Sequence, residues 1–78
     1  MKFKATFYHA GCPVCLDAER QIVTALDPTR YDVEVVHLVQ QPVRISQAAA
    51  QGVKSVPALV LGQVPLHINF GAALKDLG

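Results

Sequence analysis

The sequence predicts an α/β fold, a mixed four-stranded sheet with flanking helices in the order β-α-β-α-β-β-α. Three observations carry that prediction. Apolar residues alternate singly at the start of the chain and then recur at helical spacing from Cys15. A β-branched run from Tyr31 to Val39 follows that helix, which makes a β-α-β unit of two parallel strands and a right-handed crossover. Two further apolar runs are separated by a short break containing glycine, which suggests an antiparallel hairpin.

The elements follow in order. Residues 2–8, KFKATFY, set Lys2, Lys4 and Thr6 against Phe3, Ala5 and Phe7, the period of a strand. Pro13 fits the first turn of a helix, where its missing N–H costs nothing. Cys15, Ala18, Ile22, Ala25 and Leu26 then form the apolar stripe, with Asp17, Arg20, Gln21 and Thr24 opposite. Asp27-Pro28 ends the helix, because the residue before proline avoids the helical region. In the second strand, Asp32 and Glu34 point to a sheet edge. Residues 43–51, VRISQAAAQ, read as a short helix with Gly52 as its C-terminal cap. Ala58 to Leu61 is the third strand and Leu66 to Phe70 the fourth, with Gly62-Gln63 at the turn. Leu66, Ile68 and Phe70 share one face of it. Residues 72–77 close the chain as a brief helix with Ala73, Leu74 and Leu77 inward.

With 78 residues the chain is expected to form one domain, residues 1–78. A chain of this size buries only about 60–65% of its unfolded surface, and a 51% hydrophobic, 17% charged composition suits that demand. A net charge of +1, with the basic residues scattered from Lys2 to Lys75, gives no electrostatic basis for binding nucleic acid or an anionic membrane. No apolar run approaches the ~20 residues of a membrane span. The start of the chain lacks the apolar core of a signal peptide. A cytoplasmic monomer is the expectation, and in that compartment a structural disulfide is disfavoured.

Both cysteines lie in HAGCPVCLDAER, at the passage from first strand to first helix. Such a pair can staple the fold, hold a metal or exchange electrons with another disulfide. Stapling is weakest, since closing so short a loop removes roughly 2 kcal/mol of chain entropy at most. Metal binding has three ligands to hand, His9, Cys12 and Cys15. A tetrahedral zinc site needs a fourth, and only His37 and His67 remain among the histidines. Electron exchange suits the position best. The first amides of a helix lack partners and point at the loop, so they and the helix dipole favour a thiolate at Cys12. Cys15 falls on the apolar stripe and is expected to be buried and less acidic. Pro13 pins the backbone between the sulfurs. His9 reads as a solvated residue before a turn, with tuning of Cys12 by proximity as the alternative, His37 and His67 as structural or surface residues, and Asp17 and Glu19 as solvated.

A second constellation, GVKSVPALVLG, runs from Gly52 to Gly62. A proline entering a strand cannot donate to the ladder. If Val56-Pro57 is cis, the kink exposes backbone groups with which a substrate segment can pair at Val56. The alternative is a trans proline on a sheet edge.

Cys12-Pro13-Val14-Cys15 after the first strand, with Gly52-Val53-Lys54-Ser55-Val56-Pro57 before the third, resembles the thioredoxin and glutaredoxin superfamily in its short, glutaredoxin-like form. The resemblance covers essentially the whole chain. It implies a thiol–disulfide oxidoreductase in which Cys12 attacks and Cys15 resolves, with no cofactor and no metal. It also implies that Pro57 is cis and packs against the cysteines, while Val56 offers main-chain hydrogen bonds to substrate. Tyr8, Pro13, Val14, Val56 and Pro57 are the candidate substrate contacts. The implied partners are disulfide-containing proteins, with a reductase or glutathione as electron donor. Thr6 stands where thioredoxins have a buried Asp, and Ser55 and Ala72-Ala73 where glutaredoxins have Thr and a Gly-Gly pair. The departures at Ser55 and Ala72-Ala73 favour thioredoxin reductase or a dedicated reductase over glutathione. The competing expectation is a metal-handling protein, for copper, zinc or an iron–sulfur cluster, that binds through the same Cys-x-x-Cys pair.

Overall fold

Residues 2–77 are described by the computed structural model. Strand β1 (Phe3–His9) leads into helix α1 (Pro13–Ala25) and strand β2 (Tyr31–His37). A 3-10 turn (Pro42–Arg44) opens helix α2 (Ile45–Ala50), followed by strands β3 (Ser55–Leu61) and β4 (Val64–Ala73) and a last 3-10 turn (Leu74–Asp76). The sheet order is β2-β1-β3-β4, with β1 parallel to β2 and antiparallel to β3, and β3 antiparallel to β4. This is the mixed four-stranded sheet that the sequence predicts. Among the described residues no helix is long and apolar enough to cross a membrane.

Alternation along the strands divides the interior into two cores. Ala5, Phe7 and Leu59 meet Ala18 of α1, with Ile22 and Leu26 packed alongside. On the opposite face Tyr8, Val36, Val56, Ala58 and Val60 meet Ala48 of α2, Val53 and Leu74. The predicted stripe of α1 is therefore the buried one, except that Ala25 at its C-terminal end is exposed. Gly52 closes α2 with φ +90°, and the Gly52 and Val53 amides donate to Ala49 O (3.0 Å) and Ala48 O (3.1 Å). That is a Schellman cap. The carboxylates expected at an edge do sit on edge strand β2, where Glu34 takes a bidentate pair of hydrogen bonds from Arg44 (2.6 and 3.2 Å). Those bonds hold the Glu34 carboxyl below the usual carboxylate value.

The second half of the chain differs from expectation in its element bounds. β3 begins at Ser55 rather than Ala58, because Ser55 and Val56 pair with Ala73 and Ala72 across an irregularity at the proline. The same pairing carries β4 through Ala73, so the closing helix predicted over 72–77 is a single 3-10 turn. Leu74 is buried as expected, but beneath the α2 side. Asn69, at φ +64°, breaks the alternation before Phe70, which is 63% exposed rather than aligned with Leu66 and Ile68.

Candidate active site

The site is built where β1 stops and α1 starts. Gly11 turns the chain at φ +78°, a conformation that costs a glycine little. Cys12 follows in an extended conformation (φ −73°, ψ 161°) as the N-cap of α1, and Pro13 occupies the first helical position. The Cys15 amide donates to Cys12 Sγ at 3.2 Å, and the Leu16 amide to Cys12 O at 2.9 Å. A sulfur thus does the capping work usually done by Ser, Thr, Asp or Asn, and meets the positive end of the helix. Cys12 is half-buried and Cys15 fully buried, both as free thiols. Burial pushes the Cys15 thiol up, and the neighbouring Cys12 sulfur adds to that. One thiol faces solvent and one is held protonated inside.

The second half of the site comes from β3 and β4. Val56-Pro57 is cis, and both residues are buried. The β1 ladder stops at Tyr8 opposite Ala58, which leaves Val56 paired on the β4 side alone, with Ala72. Gly71 closes the arrangement. A Cβ there would lie 2.5 Å from Cys12 Sγ, 3.0 Å from Val56 O and 3.3 Å from Cys15 Sγ. Both sulfurs and the Val56 carbonyl therefore converge on a bare Cα. Sequence reading missed Gly71, because only the pairing of β4 past Pro57 brings it to the thiols.

The remaining candidates are placed unevenly. Pro13 is exposed beside the cysteines. Val14 is half-buried and lines a groove of about 160 Å³ with Asp17, Ala18, Gln21, Ile68 and Asn69. Tyr8 is a correction: it is fully buried and offers a substrate no surface. Its hydroxyl accepts from Gln47 Nε2 (3.1 Å) and donates to Gln51 Oε1 (3.5 Å), which fixes it under α2. Its position on the inward face of a central strand explains the difference.

His9 is also not where the sequence suggests. His9 is 5% exposed rather than solvated. Its Nδ1 accepts from the Gly11 amide (3.1 Å) and its Nε2 lies 3.5 Å from the Glu19 carboxylate. Its ring packs on His37 at 4.6 Å between centroids, and His37 in turn packs on Gly11. Burial holds the His9 imidazole below the ordinary histidine value; Glu19 opposes that and His37 reinforces it. Glu19 is thus tied to the loop, whereas Asp17 pairs outward with Arg20. With both ring nitrogens of His9 engaged, the set of His9, Cys12 and Cys15 does not come together as a metal site. Among the described residues no three His, Cys, Asp or Glu side chains group to hold a metal. His67 accepts from the Lys54 amide (3.0 Å), the structural role expected of it.

No protein-family model and no curated protein matches the chain. Among solved structures, the chain is similar to a dimeric thioredoxin-like protein from Nitrosomonas europea determined by solution NMR. The two are 55% identical over 99% of this chain and 96% of that one, with a TM-score of 0.92. A likeness that close over the whole length, on a fold that carries a Cys-x-x-Cys at its first helix, settles the family: the chain belongs to the thioredoxin-like superfamily.

Proposed function

We propose that the protein is a thiol–disulfide oxidoreductase whose redox pair is Cys12 and Cys15. The observation that carries this reading is the inequality of the two thiols. Cys12 is half-exposed with a helix amide on its sulfur, and Cys15 is buried beside it. The Cys12 thiolate attacks one sulfur of a substrate disulfide, whose S–S bond breaks and whose other sulfur leaves as a thiolate. Cys15 then gives up its proton and attacks Cys12 Sγ, which releases the second substrate thiol and leaves a Cys12–Cys15 disulfide. An external dithiol or thiol donor, a reductase or glutathione, returns the pair to the reduced form. Val56 contributes main-chain hydrogen bonds to the substrate segment, and Pro13, Val14 and Pro57 shape its seat. The fold's relationship to thioredoxin-like proteins supports this chemistry, and a reducing cytoplasm is the compartment that suits it. In place of the monomer expected from sequence, we take the chain to be a dimer of one-domain protomers, as its N. europea relative is described.

The test is trapping. Cys15→Ser should accumulate a mixed disulfide between Cys12 and its substrate, because nothing remains to resolve it, and Cys12→Ser should trap little. The opposite pattern would reverse the roles. A coupled NADPH assay, run once with thioredoxin reductase and once with glutathione and its reductase, then identifies the donor. The metal-handling alternative makes the contrary prediction: reduced protein that retains stoichiometric metal and loses thiol reactivity.

A further inference from the structure

The sheet carries an apolar face that its own helix leaves partly bare, and we infer that a second copy of the chain covers it through Phe3, Leu61, Val64 and Leu66. The inference rests on the dimer reading given under the proposed function. Strand register puts these residues on the α1 side. Phe3 shares the parity of Ala5 and Phe7, which pack on α1, and Leu61 and Leu59 pair directly with Val64 and Leu66. Yet Phe3 is 69% exposed, Val64 57% and Leu66 42%, while on the opposite face Val56, Ala58 and Val60 are no more than 2% exposed. Phe3 begins β1 and Val64 begins β4, on either side of the half-buried Leu61 at the end of β3, so the bare surface is continuous across three strands.

What covers it follows from three facts. The closely similar relative is dimeric, and this chain spans 96% of that relative, so the two present the same sheet. The turn beside the patch, Gly62-Gln63, is uncharged, and a net charge of +1 gives two copies little cause to repel. A two-fold axis through the patch sets each apolar strip against its own image, the isologous arrangement of most dimers. The patch also lies at the far end of the sheet from the thiols. Val64 and Gly71 are seven residues apart along β4, roughly 20 Å at strand rise, so dimerisation on this face leaves Cys12 open.

Sedimentation equilibrium of the reduced protein tests this, with Val64→Lys, Leu66→Glu, Val43→Lys and Cys12→Ser alongside the wild type. Wild type, V43K and C12S should have the mass of two chains, and V64K and L66E that of one, with the circular dichroism and the Cys12 alkylation rate unchanged. Hydrogen exchange of the wild type, which needs no variant, should slow at residues 61–66 as concentration rises. A wild-type dimer that survives V64K and L66E and gains no protection at residues 61–66 overturns the interface and leaves the dimer reading standing. A wild type that stays a single chain at every concentration overturns the dimer reading itself. Loss of the dimer in C12S places the contact at the thiol end of the sheet and overturns the interface.

Discussion

The proposed exchange turns on a few residues around Cys12, and Gly71 is the most exacting of them. Because a Cβ would stand 2.5 Å from Cys12 Sγ and 3.0 Å from the Val56 carbonyl, Gly71→Ala forces either the sulfur or the backbone to move. Overpacking of that kind costs about 1–3 kcal/mol. Urea denaturation of the reduced protein should show that loss, together with slower alkylation of Cys12. Unchanged stability and reactivity would mean that the sulfurs do not sit against Gly71. His9 governs the other side of the loop. Its buried imidazole titrates below the ordinary histidine value, so over the acid range the unfolded chain binds a proton that the folded chain refuses. Stability should therefore fall as pH drops below about 6.5 and continue falling until the folded imidazole also protonates. Protonation would also set an N–H against the Gly11 amide that now donates to Nδ1. Urea midpoints across that range should slope downward toward acid for the wild type and flatten for His9→Gln. Equal slopes would assign the acid sensitivity to other groups. Cys15 acts in the opposite sense. Its raised thiol keeps its proton where the unfolded chain loses one, so stability declines again above the ordinary thiol range.

At the scale of elements, local chemistry in the sequence was enough wherever local chemistry decides. Pro13 marked the first turn of α1 and the apolar stripe marked its buried face, because capping and periodicity act within a few residues. Gly52 was legible as a cap for the same reason. Its replacement by Ala should cost about 1 kcal/mol or more by thermal or urea unfolding, since φ is +90° and the new Cβ would meet Pro65 Cγ at 3.1 Å. A neutral effect would show that the cap relaxes without loss. What escaped sequence reading was decided at long range. Phe70-Gly71-Ala72-Ala73 has the small residues of a helix start, yet the pairing of Ala72 and Ala73 with Val56 and Ser55 draws it into β4. Cross-strand pairing overrides propensity there, and no pattern within the segment announces it. The site divides the same way. Cys12, Cys15 and Val56-Pro57 were visible as motifs, whereas Gly71 comes from a distant strand and His9 is buried against Phe7, Glu19 and His37.

For the molecule as a whole, the opposing demands fall on the two ends of one sheet. The end nearest the thiols must stay open if the proposed exchange with a substrate disulfide is to occur, while the far end carries apolar surface that a chain of 78 residues can scarcely leave in water. A small protein buries too little of its surface to be generously stable alone, so each apolar residue covered by association matters more than in a larger domain. If folded protomers are held as a pair, unfolding releases two chains and the midpoint depends on concentration by mass action. At about 0.7 kcal/mol of unfolding enthalpy per residue, a pair of such chains gives a rise in Tm of roughly 4 °C for each tenfold increase in protein. Differential scanning calorimetry of the reduced protein over two decades of concentration should show that slope, and Leu66→Glu should abolish it while lowering Tm at high concentration. A wild-type Tm independent of concentration would mean that the protomer unfolds alone, and that the bare face of the sheet contributes nothing to holding the fold together.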